Sequence, residues 1–143
     1  MAALLYAMPV AAQQGAYIAN HRLFASLLAG HYGIPASVIL AVATVESAAG
    51  EAPVARVLNN HFGMVGENKY INRRGNKSRY KQYDNEYASY IDFCELISRK
   101  KFYARLRNNT DPKAWVKALS NCGYSECPAE WEQHILNMLP ATR

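Results

Sequence analysis

The segment at residues 37–47 constrains the fold of this chain more than any other part of the sequence. Its side chains are almost all apolar, and Glu46 is the one charged residue among them. A helix without a polar face lies inside a core rather than on its surface. Burial and the partial negative charge of a helix C-terminus both disfavour an ionised carboxylate. The segment therefore predicts a buried helix that ends on a glutamate of raised pKa, as a general acid requires.

The length and composition predict one globular domain. The chain has 143 residues, of which 50% are hydrophobic, and this is enough to bury a core. We assign residues 15–143 to the domain. Residues 1–14 are apolar and end on small residues, so they are interpreted as a signal-peptide remnant or as an N-terminal arm packed on the domain. No run reaches the roughly 18 apolar residues of a membrane span, and we expect an exported monomer without stable membrane insertion.

Positive charge is concentrated in one region. Residues 69–107 contain eleven Lys or Arg and four Asp or Glu, whereas the rest of the chain has five basic and seven acidic residues. Such a region is either a solvated face or a surface for an anionic partner. Because the basic residues cluster around a predicted hairpin and its neighbours rather than on a recognition helix, we do not expect binding to nucleic acid.

Capping residues, prolines and glycines divide the chain into short helices around one small β element. The predicted helix starts are Asn20, Ser37, Pro53, Asp84 or Asn85, Asp111 with Pro112, and Pro128. Gly50 is predicted to turn the chain away after Glu46. Between residues 69 and 83, two β-prone runs flank a stretch rich in Asn, Gly and basic residues, which predicts an exposed hairpin. The predicted fold class is α+β, mostly α, with a small β-hairpin lobe.

Cysteines and histidines give no sign of a cofactor. Cys122 and Cys127 flank a tight segment and could form a disulfide in an exported protein. Cys94 lies among apolar residues and is predicted to be a buried thiol. Neither the cysteines nor the four histidines show the spacing of a metal site, and a glycine-rich phosphate loop is absent from the sequence. We expect no metal and no cofactor.

The remaining chemistry favours a glycosidase. Ten tyrosines suit a groove that stacks against sugar rings and binds hydroxyl groups. Such a groove beside a carboxylic acid of raised pKa is typical of a glycosidase active site. The alternative is that the tyrosines are half-buried core residues and that Glu46 reaches out to solvent.

Several short segments follow one another in a fixed order along the chain. They are residues 32–37 (YGIPAS), 46–47 (ES), Gly50, 59–63 (NNHFG), 80–84 (YKQYD), 89–92 (SYID), Trp115 and 123–124 (GY). In this order they resemble one family, the bacterial peptidoglycan N-acetylglucosaminidases of the autolysin and flagellar-hydrolase type (glycoside hydrolase family 73). The resemblance extends from about residue 23 to residue 139, which is nearly the whole domain.

The resemblance implies a lysozyme-like fold and the cleavage of the β-1,4 bond after N-acetylglucosamine in peptidoglycan glycan strands. Glu46 matches the family's catalytic proton donor. Tyr124 matches the tyrosine that contacts N-acetylglucosamine at the cleavage point. The other implied substrate-binding residues are Asn60, Phe62 and Gly63 beside the glutamate, and Tyr80 and Tyr83 in the aromatic-basic segment.

Two features depart from the family pattern. Residues 48–50 are Ala-Ala-Gly, where the family's Gly-x-Gly step often carries an aromatic residue. The family commonly places a second carboxylate in the hairpin, but this chain has no acid between Glu67 and Asp84. A two-carboxylate mechanism needs a partner roughly 5 to 9.5 Å from Glu46, and Asp84, Glu67 or Glu51 are the candidates.

The missing carboxylate leaves several mechanisms open. Asp84 is the first candidate for a partner in inverting chemistry, and substrate assistance by the 2-acetamido group would not need a protein nucleophile. The alternative functions are a lytic transglycosylase on the same fold and a non-catalytic glycan-binding module.

Overall fold

The computed structural model describes residues 8–69 and 74–143. The helices in these ranges are α1 (Val10–Tyr32), α2 (Ala36–Glu46), α3 (Pro53–Leu58), α4 (Glu86–Ser98), α5 (Tyr103–Leu106), α6 (Pro112–Asn121) and α7 (Pro128–Met138), followed by a 3-10 turn, Leu139–Thr142. None of these described helices combines the length and the apolar character that crossing a membrane requires.

Helix α2 lies at the centre of the core. Helices α1, α4, α6 and α7 and the 3-10 turn all pack against it, and every side chain from Val38 to Thr44 is buried. Each fully buried Val, Leu or Ile contributes about 1.5–3 kcal/mol to folding. The prediction of a buried apolar helix that ends on Glu46 is confirmed. The predicted cap is wrong by two residues, because Pro35 precedes the first helical residue, Ala36, and Ser37 lies inside the helix.

Helix α1 is longer than predicted. Asn20 lies in its interior and does not cap it, because the helix begins at Val10. Tyr17, Ile18, His21, Ala25 and Leu28 form its buried stripe, and this stripe begins before Asn20. Tertiary packing of an apolar stripe outweighs a local preference for capping. The predicted domain boundary between residues 14 and 15 therefore falls within a continuous helix.

The predicted β-hairpin lobe is not formed by the described residues. The chain segments on either side of residues 70–73 run antiparallel and share one bridge, between Val65 and Tyr80, but neither segment is a strand. The four residues 70–73, which belong to the predicted hairpin, lie outside the described part of the chain.

Asparagine side chains explain why these two segments do not form a regular ladder. The Asn60 amide donates to the carbonyls of Met64 and Lys81 at 2.9 and 2.8 Å. The Asn68 amide donates to two further carbonyls of the opposite segment at 2.6 and 2.7 Å. The Met64 carbonyl also accepts from the main-chain N–H of Lys81 at 2.8 Å, but side-chain amides occupy the other three carbonyls, which a ladder would pair with main-chain N–H groups.

The remaining helix starts are confirmed. Pro53 and Pro128 each stand at the first position of a helix. The Asn85 side chain accepts a hydrogen bond from the main-chain N–H of Ala88 and caps α4. Asp111 caps α6 in the same way, with Pro112 as the first helical residue.

The predicted Cys122–Cys127 disulfide is not formed, since both thiols are free. Cys122 is the C-cap of α6, and its Sγ atom lies 3.1 Å from the carbonyl oxygen of Leu119. The thiol is therefore directed back along its own helix. Cys94 is buried on α4, as predicted.

Candidate active site

The backbone turns sharply directly after Glu46. Ser47 caps α2, and the next three residues, Ala48, Ala49 and Gly50, have φ angles of 49°, 55° and 81°. The Ser47 hydroxyl accepts a hydrogen bond from the N–H of Gly50 at 2.9 Å and closes the turn. A left-handed conformation costs roughly 1–2 kcal/mol at a residue other than glycine. The turn that ends the helix at Glu46 is therefore strained at both alanines.

The carboxyl group of Glu46 is held by the last long helix. The indole N–H of Trp131 donates to Oε1 of Glu46. Burial raises the pKa of Glu46, and the Trp131 hydrogen bond opposes this effect only in part. An indole N–H can only donate, so Oε1 is the accepting oxygen. In the neutral acid, the proton is consequently placed on Oε2.

The second oxygen, Oε2, faces the loop at residues 59–64. A Cβ atom added to Gly63 would lie 3.4 Å from Oε2, and Gly63 has a φ of 65°. Glycine therefore provides both the left-handed backbone and the space beside the proton-bearing oxygen.

A cavity of about 320 Å3 opens beside Glu46. This volume lies within the roughly 300–1,000 Å3 of small-ligand sites. The residues that line it are Glu46, Phe62, Gly63, Met64, Val65, Leu96, Lys100, Cys122, Gly123 and Tyr124.

The other two residues predicted in this loop support the cavity rather than present a polar group to it. Asn60 is fully buried, and its side-chain oxygen Oδ1 accepts hydrogen bonds from the main-chain N–H groups of Phe62 and Met64 at 3.4 and 3.1 Å. The Phe62 ring is buried and stacks on Phe93, with ring centroids 4.3 Å apart. Asn60 fixes the loop, and Phe62 anchors it in the core.

Tyr124 joins the loop to the far side of the cavity. Its hydroxyl donates to the carbonyl oxygen of Phe62 at 2.6 Å, and its ring lies 5.2 Å from the ring of Trp131. Burial raises the pKa of Tyr124 well above its usual value, so the hydroxyl stays protonated. Glu46, Phe62, Gly63 and Tyr124 are the predicted site residues that the fold brings together at the cavity.

Tyr80 and Tyr83 do not line the cavity beside Glu46. Tyr80 borders a separate hollow against α3. The Tyr83 hydroxyl donates to Oδ2 of Asp92 at 2.6 Å, and Lys81 Nζ donates to the same oxygen at 2.7 Å. These contacts tie the segment after residue 78 to α4.

The candidates for a second carboxylate also lie elsewhere. Asp84 and Glu67 border a different depression, and Glu51 is exposed on the turn after α2. Among the described residues that line the cavity, Glu46 supplies the one carboxylate.

Sequence reasoning missed two residues of the site. Trp131 is not among the predicted site residues, although a buried indole N–H needs an acceptor, and this need was the available signal. Lys100 belongs to the basic region, but nothing in the sequence assigned it to the cavity that it lines.

Sequence reasoning also missed a polar cluster behind the site. His21, His61 and Glu86 offer ligand atoms that all lie within 4.8 Å of one another. The three residues are far apart in the sequence, and their spacing matches no metal motif.

Three solved structures show the same fold. The glycoside hydrolase domain of FlgJ from Salmonella typhimurium is 22% identical, with a TM-score of 0.70 over 89% of this chain and 86% of that chain. A peptidoglycan hydrolase mutant from Sphingomonas sp. A1 is 20% identical, with a TM-score of 0.68 over 87% and 92%. The catalytic domain of the autolysin Auto from Listeria monocytogenes is 18% identical, with a TM-score of 0.67 over 98% and 90%. The shared fold is mostly helical and lysozyme-like.

A comparison of sequences gives the family. No curated protein matched the chain. Residues 24–142 match the family model "Glucosaminidase", described as mannosyl-glycoprotein endo-beta-N-acetylglucosaminidase. Because this match covers most of the chain, the protein belongs to the glucosaminidase family, glycoside hydrolase family 73, and is a glycosidase.

Proposed function

We propose that this protein hydrolyses the β-1,4 bond after N-acetylglucosamine in peptidoglycan, with Glu46 as the general acid. One observation carries the proposal: the half-buried carboxyl group of Glu46, whose pKa is raised, has one oxygen fixed by Trp131 and the other facing a cavity. A raised pKa keeps a useful fraction of the acid protonated near neutral pH.

The geometry favours proton donation from Oε2. As the bond between C1 and the leaving oxygen breaks, the proton on Oε2 passes to that oxygen and leaves Glu46 as a carboxylate. The Trp131 N–H then donates to a charged acceptor, and such bonds are about twice as strong as bonds between neutral groups. Trp131 therefore stabilises the charge that develops on Glu46 during the reaction.

The cavity favours a substrate-assisted route. The described residues that line it contribute no carboxylate besides Glu46, so none of them can serve as a carboxylate nucleophile. The carbonyl oxygen of the substrate's own 2-acetamido group can attack C1 instead. Water then opens the cyclic intermediate and gives a proton to the Glu46 carboxylate, which restores the acid. An inverting route would require Asp84, Glu67 or Glu51 to move to the cavity.

The positive charge at the cavity and in residues 69–107 supports an anionic polymer as the substrate. Lys100 lines the cavity, and residues 69–107 carry eleven basic and four acidic residues. Peptidoglycan bears carboxylates on its peptides, and on its lactyl groups where the peptide is absent. Two of the structures with this fold are described as a peptidoglycan hydrolase and an autolysin. This substrate lies outside the cytoplasmic membrane, so we propose that the protein acts in the cell envelope or outside the cell.

A digest of purified peptidoglycan tests the proposal. We expect new reducing ends on N-acetylglucosamine, identified by mass spectrometry, and we expect Glu46→Gln to abolish their release. Anhydro-muramyl ends would identify a lytic transglycosylase instead. Binding to sacculi without any cleavage, and unchanged in Glu46→Gln, would identify a glycan-binding module.

A second digest tests the nucleophile. Glycan strands whose N-acetylglucosamine has been chemically N-deacetylated lack the carbonyl oxygen that attacks C1. We expect these strands to bind but not to be cleaved. Cleavage at a similar rate would contradict substrate assistance and would favour a displaced carboxylate such as Asp84.

A further inference from the structure

The cluster of His21, His61 and Glu86 lies behind the loop that lines the cavity. His21 is on α1, His61 is in the loop after α3, and Glu86 is the first residue of α4. We propose that these three side chains bind a divalent transition-metal ion, with Zn²⁺ as the ion that fits best. The site is separate from Glu46, and the inference does not depend on the proposed glycosidase activity.

The distances between the three side chains suit a single ion. Oε2 of Glu86 lies 3.2 Å from His21 Nε2 and 3.6 Å from His61 Nε2. Two ligands of a tetrahedral Zn²⁺ with bonds of about 2.0–2.1 Å are separated by about 3.3–3.4 Å. The ligand atoms of the two histidines lie within 4.8 Å of each other, so side-chain rotations that bring them closer would complete three of the four positions around one ion.

The contact between His21 and Glu86 is not a hydrogen bond. His21 is 6% exposed, and its Nε2 has no hydrogen-bond partner in the part of the chain that the structure describes. A carboxylate oxygen lies close to this nitrogen but off the direction in which the ring would donate. Two ligands of one metal show this arrangement, because each lone pair points to the ion and not to the other ligand.

The Nδ1 atoms of the two imidazole rings each have a hydrogen-bond partner, as in metal-binding sites. His21 Nδ1 lies 2.7 Å from the main-chain oxygen of Tyr17, which can only accept, so Nδ1 carries the proton. His61 Nδ1 lies 2.6 Å from the hydroxyl oxygen of Tyr17, which in turn lies 2.7 Å from the hydroxyl of Tyr90. Such outer partners fix the tautomer and orientation of metal-ligating histidines and leave Nε2 free for the metal.

The ligand set and the access route select the ion. Two imidazoles and one carboxylate suit Zn²⁺, whereas Ca²⁺ and Mg²⁺ prefer sets made of oxygen alone. The Glu86 side chain is 36% exposed, so an ion and a water molecule as fourth ligand can reach the site from solvent. A bound ion would join α1, α4 and the cavity loop, since His61 directly precedes Phe62. We infer a structural role for the ion.

Titration with ZnCl₂ tests the proposal on the untagged full chain after treatment with a chelator. We expect calorimetry to give one Zn²⁺ per chain. At free Zn²⁺ 100 times above the Kd, the unfolding constant should fall about 100-fold, as linkage requires for an ion that binds only the folded state. With Co²⁺ alone, the wild-type chain should develop the strong visible absorption of a tetrahedral site.

Variants locate the ion. We expect Glu86→Gln and His61→Gln each to weaken Zn²⁺ binding at least 10-fold. His134→Gln is the matched control, because His134 is an exposed histidine on α7, and it should bind as the wild type does. Glu46→Gln should also bind normally, which separates this site from the proposed general acid.

Several results would overturn the proposal. One is that the wild type does not bind Zn²⁺ stoichiometrically. Another is that Glu86→Gln and His61→Gln bind Zn²⁺ with the wild-type affinity. Loss of binding in His134→Gln or an octahedral Co²⁺ spectrum would also contradict it. The Co²⁺ spectrum needs only the wild-type chain and decides the matter even if a variant fails to fold. A stability that responds to pH but not to Zn²⁺ would assign the cluster to a bound proton and would equally refute the metal.

Discussion

Replacing Trp131 with phenylalanine isolates the hydrogen bond to Glu46. The change keeps an aromatic ring beside Tyr124 and removes the indole N–H group that donates to Oε1. This bond lowers the pKa of Glu46, in opposition to burial. Its loss should therefore raise that pKa further.

The size of the shift follows from the strength of the bond. A hydrogen bond to a charged group contributes about 1.5–3 kcal/mol, and one pKa unit corresponds to about 1.4 kcal/mol. Glu46 is half-buried beside an open cavity, so water replaces part of the lost bond. We expect an increase of about one pKa unit in Trp131→Phe, at the lower end of the range.

The assay is the pH dependence of kcat/KM for peptidoglycan cleavage. Glu46 must be protonated to act, so activity falls as the pH rises through its pKa. In Trp131→Phe, this alkaline limb should move to higher pH by about one unit. At the pH optimum, kcat should fall about tenfold or more, because the developing carboxylate loses a donor.

The control is Ile135→Val, a buried change one turn further along α7. It should cost about 0.5–1.5 kcal/mol of stability and leave the alkaline limb in place. If Trp131→Phe lowers kcat but leaves the limb unmoved, or moves it to lower pH, Trp131 does not tune Glu46 and the placement of the proton on Oε2 loses its basis.

Three further changes test the surroundings of the site by urea unfolding. Glu46→Gln should raise the free energy of unfolding at pH 8 but barely at pH 4, because ionisation of the half-buried acid destabilises the fold as the pH rises through its raised pKa. An equal gain at both pH values would contradict this. Ala48→Gly should stabilise the fold by about 0.5–1 kcal/mol by relieving a left-handed alanine, and a loss of stability would refute the strain. Asn60→Asp should cost about 3 kcal/mol, because the carbonyl of Lys81 loses its side-chain donor and the new carboxylate faces the carbonyl oxygens of Met64 and Lys81. A cost below about 1 kcal/mol would show that water replaces the lost donor.

Local signals explain which parts of the fold could be predicted. Helix α2 is apolar on every side, so its burial follows from its own sequence. Asn85 and Asp111 cap helices through contacts within three residues, and such contacts are visible in a sequence. The position of Glu46 at the end of a buried helix is predictable for the same reason.

The rest depends on contacts between distant residues. Trp131 and Glu46 are 85 residues apart, and nothing in the sequence around either residue indicates that the two are in contact. The predicted hairpin had the right composition, but Asn60 and Asn68 take main-chain carbonyls that a ladder would use. Sequence periodicity describes which face of an element is buried, but it does not say which side chain will compete for a main-chain partner.

The bond between Tyr124 and the Phe62 carbonyl has a consequence for which cell walls the protein can attack. It ties two borders of the cavity together, so widening the gap beside Glu46 around a larger sugar would require this hydrogen bond to break. Discrimination then depends on size. We expect a strand decorated with O-acetyl groups at the cleavage point to be cleaved more slowly than an unmodified strand. A bacterium could gain resistance by esterifying its own glycan, without any change in charge.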